Sequence, residues 1–383
     1  MSNTLLSIIQ QFNQQEKGCC FYRYPGENSI SFIAGTHNEK AEKGFQFVPF
    51  DANSKEFPSL MIEQEVRFSN SDFRLLLDEL NQHFFRFKST AADVNRDATA
   101  ENEIDHGINL SNVSTLLPEL ANETSKEQYA VAYHKIQDSI QKGELSKAIL
   151  SRIKKTDFTL SQLELLFTQL LATHQNALCY LFFHPLSGIW IGASPELLLG
   201  QEGNNFFTSS LAGTKSSESD SWGTKELDEQ KIVTDYICKG LKSIGAIYQL
   251  SKLATAKAGT VFHLKQEISF QFTFENQKLQ TTTQLLNKIV NQLHPTPAIG
   301  GFPKEAALSL IKTVEQHQRG YYCGYIGEIN STWAKIFVNL RCAQVGAKAL
   351  NLHIGGGITK DSVMELEWLE CERKAETLLQ LIP

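Results

Sequence analysis

The sequence predicts an α+β fold with large antiparallel sheets, and three observations carry that prediction. Short strands follow one another through tight turns, as in KAILSRIKK, ALCYLFFHP and GIWIGASPELLLG. Helical stretches are segregated from those runs and do not alternate with single strands, which disfavours a doubly wound parallel sheet. The chain has 383 residues, 42% hydrophobic and 20% charged. That is enough for a core of enzyme size and too apolar for disorder.

The elements follow in order. MSNTLLSIIQQFNQQEKG reads as an amphipathic helix; it lacks the charged start and long apolar run of a signal peptide. Up to residue 90, strands (SISFIAG, GFQFVPF) alternate with helical stretches such as SDFRLLLDELNQHFFRF. Residues 91–120 are polar and read as a loop or linker. SKEQYAVAYHKIQDSIQKGEL has apolar residues at helical spacing, with Thr124 or Ser125 as N-cap and Gly143 as its stop. KAILSRIKK then reads as a strand headed by Lys147, and its basic residues Lys147, Arg152, Lys154 and Lys155 as a solvated strand end. Helices are predicted around KELDEQKIVTDYICKGLKSIGAI and PKEAALSLIKTVEQHQ. A last strand group, GYIGEI and TWAKIFVNLRCAQVGAKALNLHIGGGI, precedes a closing helix, DSVMELEWLECERKAETLLQLI. No internal repeat is visible.

Charge and cysteines narrow the class. A net charge of −6 without a basic stripe disfavours nucleic acid as partner. Seven scattered cysteines with no CxxC pair suggest reduced thiols and a cytoplasmic protein. No stretch reaches the ~18 apolar residues of a membrane span.

Several residues could carry chemistry. Lys147, at a strand head among small and apolar residues, either snorkels to water or waits for a partner. Glu196 follows Pro195 in a tight strand-to-strand segment. It reads either as a hairpin glutamate in water or as an acid whose partial burial keeps a proton available. In SSLAGTK, Ala212, Gly213 and Thr214 form a small-residue turn that lets a ligand approach the backbone. Gly355, Gly356 and Gly357 read as a loop after a strand, either merely flexible or with N–H groups free to cup a carboxylate or phosphate. They lack dinucleotide-fold spacing.

Glu226 and Glu229 are three apart on one helix, as are Glu367 and Glu370 on another, with Lys374 four beyond. Either these are solvated helix faces or, meeting across a cleft, they suit Mg²⁺. Arg341 interrupts an apolar strand and wants an anion. His263, between apolar neighbours, reads as a satisfied core histidine.

KAILSR, GASPELLL, LAGT, VFHL, HPTPAIGGFPKEAA, YYCGYIG, NLRCA, GGGI and EWLECERK occur in that order. Each is weak alone, but the series resembles the chorismate-utilising enzymes. That family includes isochorismate synthases, salicylate synthases, anthranilate synthase large subunits and aminodeoxychorismate synthases. The resemblance spans roughly residues 120–383. It implies one chorismate-binding enzyme domain over 1–383, with 1–120 a less typical N-terminal part and 121–383 the motif-bearing catalytic part. It also implies two large antiparallel sheets packed face to face with helices outside.

Within such a family Lys147 implies water as nucleophile, where ammonia users tend to carry glutamine. Ala212 stands where aminodeoxychorismate synthases carry a lysine nucleophile. HPTPAIGGFPK looks like isochorismate synthases. The resemblance then implies a Mg²⁺-dependent, reversible isomerase converting chorismate to isochorismate for menaquinone or catechol siderophore synthesis. Lys147 would activate water for attack at ring C2 and Glu196 would protonate the hydroxyl leaving C4. The lysine must be desolvated or near another cation to serve as a base. Glu229 and Glu370 would hold Mg²⁺, with Glu226 and Glu367 beside them. Arg341, Gly355–Gly357 and Lys374 would hold carboxylates. Tyr322 would support the enolpyruvyl end, His263 would contact substrate near the ring, and Ala212, Gly213 and Thr214 would line its face.

The alternatives are salicylate synthase, an anthranilate synthase component and a non-catalytic chorismate-binding protein. A monomer is expected, without a glutamine amidotransferase subunit. Three positions depart from the family pattern: Leu211 and Lys215 flank the AGT turn where Pro and Arg are usual, and Gln230 follows Glu229 where His is usual.

Overall fold

The computed structural model describes residues 4–85, 117–215, 217–258, 261–272 and 282–383. Helix α1 (Thr4–Gln14) leads into strands β1 (Gly18–Arg23), β2 (Ile30–Gly35), β3 (Gly44–Val48), β4 (Leu60–Glu63) and β5 (Val66–Asn70), followed by α2 (Phe73–Phe85). Helix α3 (Lys126–Gln141), β6 (Lys147–Asp157), α4 (Leu163–Thr173), β7 (Leu178–His184), β8 (Gly188–Ser194), β9 (Leu197–Glu202) and β10 (Asn205–Lys215) come next. Then follow α5 (Thr224–Ser243), β11 (Ala246–Leu250), β12 (Ala254–Ala258), β13 (Val261–Phe272), α6 (Thr282–Leu293), β14 (Gly301–Phe302) and α7 (Lys304–Val314). Strands β15 (Tyr325–Ile329), β16 (Trp333–Val338), β17 (Cys342–Val345) and β18 (Ala349–Thr359) precede the last helix, α8 (Met364–Leu379).

The strands form two nine-stranded antiparallel sheets. The first runs β14-β6-β18-β17-β8-β7-β1-β2-β5; the second runs β11-β13-β10-β9-β16-β15-β3-β4, with β12 also on β13. The N-terminal strands are therefore woven into both sheets. The predicted α+β class with face-to-face sheets holds. The polar stretch read as a linker lies outside the described residues as far as 116.

Strand alternation builds the layers. In β1, Cys19 and Phe21 point to the core beneath α1, α2 and α4, while Cys20 and Tyr22 point to the core shared by the sheets. Aromatic rings fill the space between sheets: Phe47 of the second meets Phe182 of the first at 4.5 Å between centroids, and Trp190 at 5.9 Å. Each ring buried this way contributes about 1.5–3 kcal/mol. All seven cysteines are buried free thiols.

Helix ends follow local chemistry. Ser125 caps α3, its hydroxyl accepting from the Gln128 N–H while Gln128 reaches back to the Ser125 N–H. Gly143 takes φ +75° just beyond the C-terminus of that helix, a conformation suited to glycine. Among the described residues, no helix is long and apolar enough to cross a membrane.

Candidate active site

One pocket gathers every residue to which the family resemblance gives a catalytic, substrate-binding or metal-binding role. It is lined by Lys147, Glu196, Ala212, Gly213, Thr214, Glu226, Glu229, His263, Tyr322, Arg341, Gly355, Gly356, Gly357, Glu367, Glu370 and Lys374. They come from the ends of β6, β10 and β18, from β13, from the β8–β9, α7–β15 and β16–β17 connections, and from α5 and α8.

Lys147 opens β6, where it pairs with Phe302 on one side and Thr359 on the other. That pairing holds it in the sheet, and the residue is only 2% exposed. It therefore does not snorkel. Of the basic run expected in solvent, Lys155 is exposed, but Arg152 is not. Arg152 is 1% exposed, lies 3.7 Å over the Trp368 ring and pairs with Glu372, which also takes Lys154. Glu372 and Trp368 lie on α8, so these contacts fix the helix that carries Glu367 and Glu370.

Glu196 stands between β8 and β9, where the chain crosses from one sheet to the other. Its own carbonyl accepts from Val338 N–H at 2.9 Å, which fixes the turn. The side chain is buried, and desolvation pushes its pKa up to about 8 against the opposing pull of Lys147. It is an acid that holds its proton at neutral pH, not a solvated hairpin carboxylate.

The AGT segment is a bulge within β10, not a turn. The β10–β13 register slips between Ala212 and Lys215. Gly213 takes φ +71° there, and a Cβ on it would lie 2.9 Å from the Glu226 Cβ. The bulge exposes the Gly213 carbonyl to His263, whose Nδ1–H donates to it at 2.7 Å. His263 Nε2 then accepts from Arg341 Nη2 at 3.3 Å. Burial first, and the neighbouring Arg341 second, lower the His263 pKa to about 3. The ring is neutral and both its nitrogens are engaged.

Arg341 is also not inside a strand. It sits between β16 and β17 with φ +49°, a left-handed conformation unusual for a side-chain-bearing residue. Its other contact is to Thr377 Oγ1 at 3.2 Å. Among the described residues no carboxylate pairs with it, and desolvation lowers its pKa below the usual arginine range.

The glycine triplet is likewise a strand segment. Gly355, Gly356 and Gly357 pair with Ser151, Leu150 and Ile149 of β6. Their use is the space that missing side chains leave, not free loop N–H groups. A Cβ on Gly355 would meet the Tyr322 hydroxyl at 2.9 Å, and one on Gly357 would meet Lys147 Cε at 2.9 Å and Glu229 Oε1 at 3.4 Å. A Cβ on Gly356 would face the other way, 3.6 Å from Glu367 Oε2 and 3.7 Å from Glu370 Oε1. Three carboxylates thus crowd a bare two-residue stretch. Lys374 bonds Glu370 at 2.7 Å and the Gly355 carbonyl at 2.9 Å, tying α8 to that stretch. Glu226 accepts from the Gly223 N–H at the start of α5, a capping role within the pocket wall.

The chain matches the chorismate binding enzyme family over residues 9–380. It belongs to that family. The vibriobactin-specific isochorismate synthase of Vibrio cholerae is 29% identical over 276 residues, 68% of each chain. Isochorismate synthase MenF of Haemophilus influenzae is 29% identical over 256 residues, 63% of this chain and 57% of that one. Among solved structures, menaquinone-specific isochorismate synthase MenF of Escherichia coli superposes with a TM-score of 0.70 at 18% identity, covering 96% of this chain and 89% of that one. Anthranilate synthase component I of Streptococcus pneumoniae gives 0.64 at 17% identity, covering 90% and 82%.

Within this member of the family, some pocket residues had no legible signal in the sequence. Ile149 and Ile299 line the pocket, and both carbonyls accept from Arg319, at 2.7 and 2.8 Å. Arg319 is itself held by Glu315 at 2.7 Å, four residues earlier. An Arg and a Glu at that spacing look like an ordinary surface pair; only the fold buries them. His353 also lines the pocket and precedes Gly355 by two, on the same face of β18.

The glycine geometry makes a differential prediction. Gly357→Ala would press on Lys147 Cε, whereas Gly356→Ala makes only ordinary contacts. Gly357→Ala is expected to lower kcat by about 10²-fold, the effect of displacing a reacting group by ~1 Å. Gly356→Ala should stay within a few-fold. Parallel steady-state assays decide it, and equal losses would contradict the placement of Lys147.

Proposed function

We propose that this protein is an isochorismate synthase, converting chorismate reversibly to isochorismate in the cytoplasm. The observation that carries the reading is Glu196, a buried carboxyl that keeps its proton to about pH 8 in the same pocket as the buried Lys147. A protonated acid and an amine base facing one ligand are what exchange of a hydroxyl between two ring carbons needs. Two relatives carrying the name isochorismate synthase support it.

Lys147 takes a proton from water as its oxygen bonds to ring C2. The ring double bonds shift, and Glu196 gives its proton to the hydroxyl leaving C4. One water is consumed and one released. Arg341 binds a substrate carboxylate. His263, neutral and held by the Gly213 carbonyl, aims the Arg341 guanidinium and carries no proton in the reaction. Tyr322 borders the enolpyruvyl end, while Ala212, Gly213 and Thr214 line the ring face.

The residues fit Mg²⁺. Glu229, Glu367 and Glu370 crowd the bare Gly356–Gly357 stretch, and Glu226 borders the same pocket. Among the described residues no three His, Cys, Asp or Glu side chains form a closed ligand group. Mg²⁺ does not need one, since it keeps waters and takes substrate oxygens alongside one or two carboxylates. Glu229 and Glu370 would hold it, with Glu226 and Glu367 beside them. Bound there it would supply a positive charge for the ring carboxylate and so polarise the conjugated ring.

The test is a product assay with chorismate and Mg²⁺ and no amine. The expected outcome is a mixture of chorismate and isochorismate that stops short of completion. Salicylate with pyruvate would reassign the protein to the lyase, and anthranilate formed only with ammonium would reassign the nucleophile.

A further inference from the structure

Arg341 and Pro195 line not one cavity but two. The second, of about 390 Å³, is walled by the end of α4 and the α4–β7 connection (residues 172–177 together), with Ala193, Lys257, Thr377 and Gln380. Its charged lining consists of Lys257 and Arg341 and contains no carboxylate. The catalytic pocket differs: the carboxylates Glu226, Glu229, Glu367 and Glu370 line it beside Lys147, Arg341 and Lys374, and Glu196 there keeps its proton. Lys257 is an exposed residue of β12, and among the described residues no carboxylate pairs with it; its ammonium lies 6.0 Å from the Phe262 ring centroid. Arg341, at the junction, turns one guanidinium nitrogen to Thr377 in the wall of the second cavity and another to His263 in the first.

This asymmetry separates the routes of the two ligands. A dicarboxylate approaching a chain of net charge −6 past the acidic pair of helices meets like charge. Approaching through the second cavity, it meets two cations in sequence, and low-dielectric walls focus their field. The acidic side is correspondingly suited to a divalent cation. We propose that the second cavity is the anion entrance to the active site, with Lys257 capturing a substrate carboxylate and delivering it to Arg341. The inference rests on the substrate class assigned above. Lys257 acts on approach and takes no part in the chemistry.

The experiment is stopped-flow association of chorismate, followed by intrinsic tryptophan fluorescence, at low and high salt. Lys257→Glu is compared with the wild type and with Lys348→Glu. Lys348 is exposed in the β17–β18 turn, at the far end of β18 from the glycine triplet, and the change in net charge is the same. At low salt Lys257→Glu should slow association by about tenfold, within the range of electrostatic steering. The deficit should shrink towards nothing at high salt, where the field is screened. Lys348→Glu should match the wild type. Equal effects of the two substitutions, or a deficit at Lys257 that salt leaves unchanged, would overturn the entrance. A wild type that does not bind chorismate at all would instead overturn the functional reading, and the entrance with it.

Discussion

Lys147→Ala is expected to abolish turnover while chorismate still binds. The side chain sits at the head of β6, almost fully buried, with its Cε against the bare face of Gly357. Neither of the other two groups given a place beside the reacting ring, Glu196 and His263, can replace it as a proton acceptor. Glu196 is protonated, and His263 has both nitrogens engaged and a pKa of about 3. Losing a general base typically costs 10²–10⁴ in rate, so kcat should fall by about that much. Binding should change little, because Arg341 and Lys374, the cations proposed for the substrate carboxylates, are left in place. Titration of the variant with chorismate, beside a single-turnover assay, separates the two effects. Turnover within tenfold of the wild type would remove Lys147 from the mechanism.

Glu196→Gln should have the second largest effect, with opposite signs on activity and stability. The leaving hydroxyl loses its proton donor, so kcat should fall by about 10²–10⁴. In the wild type the rate should decline as pH rises through about 8, where the acid deprotonates. Stability runs the other way. The folded carboxyl holds its proton up to about pH 8, while in the unfolded chain it ionises near its ordinary 4.5. Between those values the unfolded state binds fewer protons, so wild-type stability falls as pH rises. Glutamine removes that loss. The variant should therefore be more stable than the wild type at pH 7, by on the order of 3 kcal/mol, with little difference near pH 4. Thermal unfolding at the two pH values checks it. An inactive variant that is also less stable at pH 7 would mean that Glu196 is a structural ion-pair partner and not a stored acid. A catalytic group that costs stability is the usual trade at an active site.

The sequence showed the site better than it showed the local structure of that site. Lys147, Glu196, Arg341 and the two acidic helices were visible as residues out of place for their surroundings. Their number and order, more than any one of them, led to the family. Local conformation was harder to read. The AGT segment looked like a turn because a bulge and a turn draw on the same small residues, and only the slipped register of β10 on β13 tells them apart. The glycine triplet looked like a loop because glycine weakens strands; here eleven paired positions along β6 keep it in the sheet. Arg341 looked like a strand residue because its neighbours are apolar on both sides, and its positive φ leaves no mark on composition.

Arg152 and Arg319 were invisible as buried groups. Each is held by partners that give no sign of burial in the sequence: Trp368 and Glu372 for the first, Glu315 and two carbonyls for the second. Such arginines hold the parts on which the site is built. Arg152 anchors α8 and so Glu367 and Glu370, while Arg319 grips the carbonyls of two pocket-lining residues.

If Lys147 directs solvent water to ring C2 and Glu196 releases the hydroxyl from C4, the new oxygen comes from solvent. The most direct measurement is the reaction in ¹⁸O-labelled water, with isochorismate isolated early and analysed by mass spectrometry. One labelled oxygen is expected in each isochorismate molecule, located at C2. Unlabelled isochorismate would mean that the hydroxyl moves within the substrate, and would contradict the roles given to both residues.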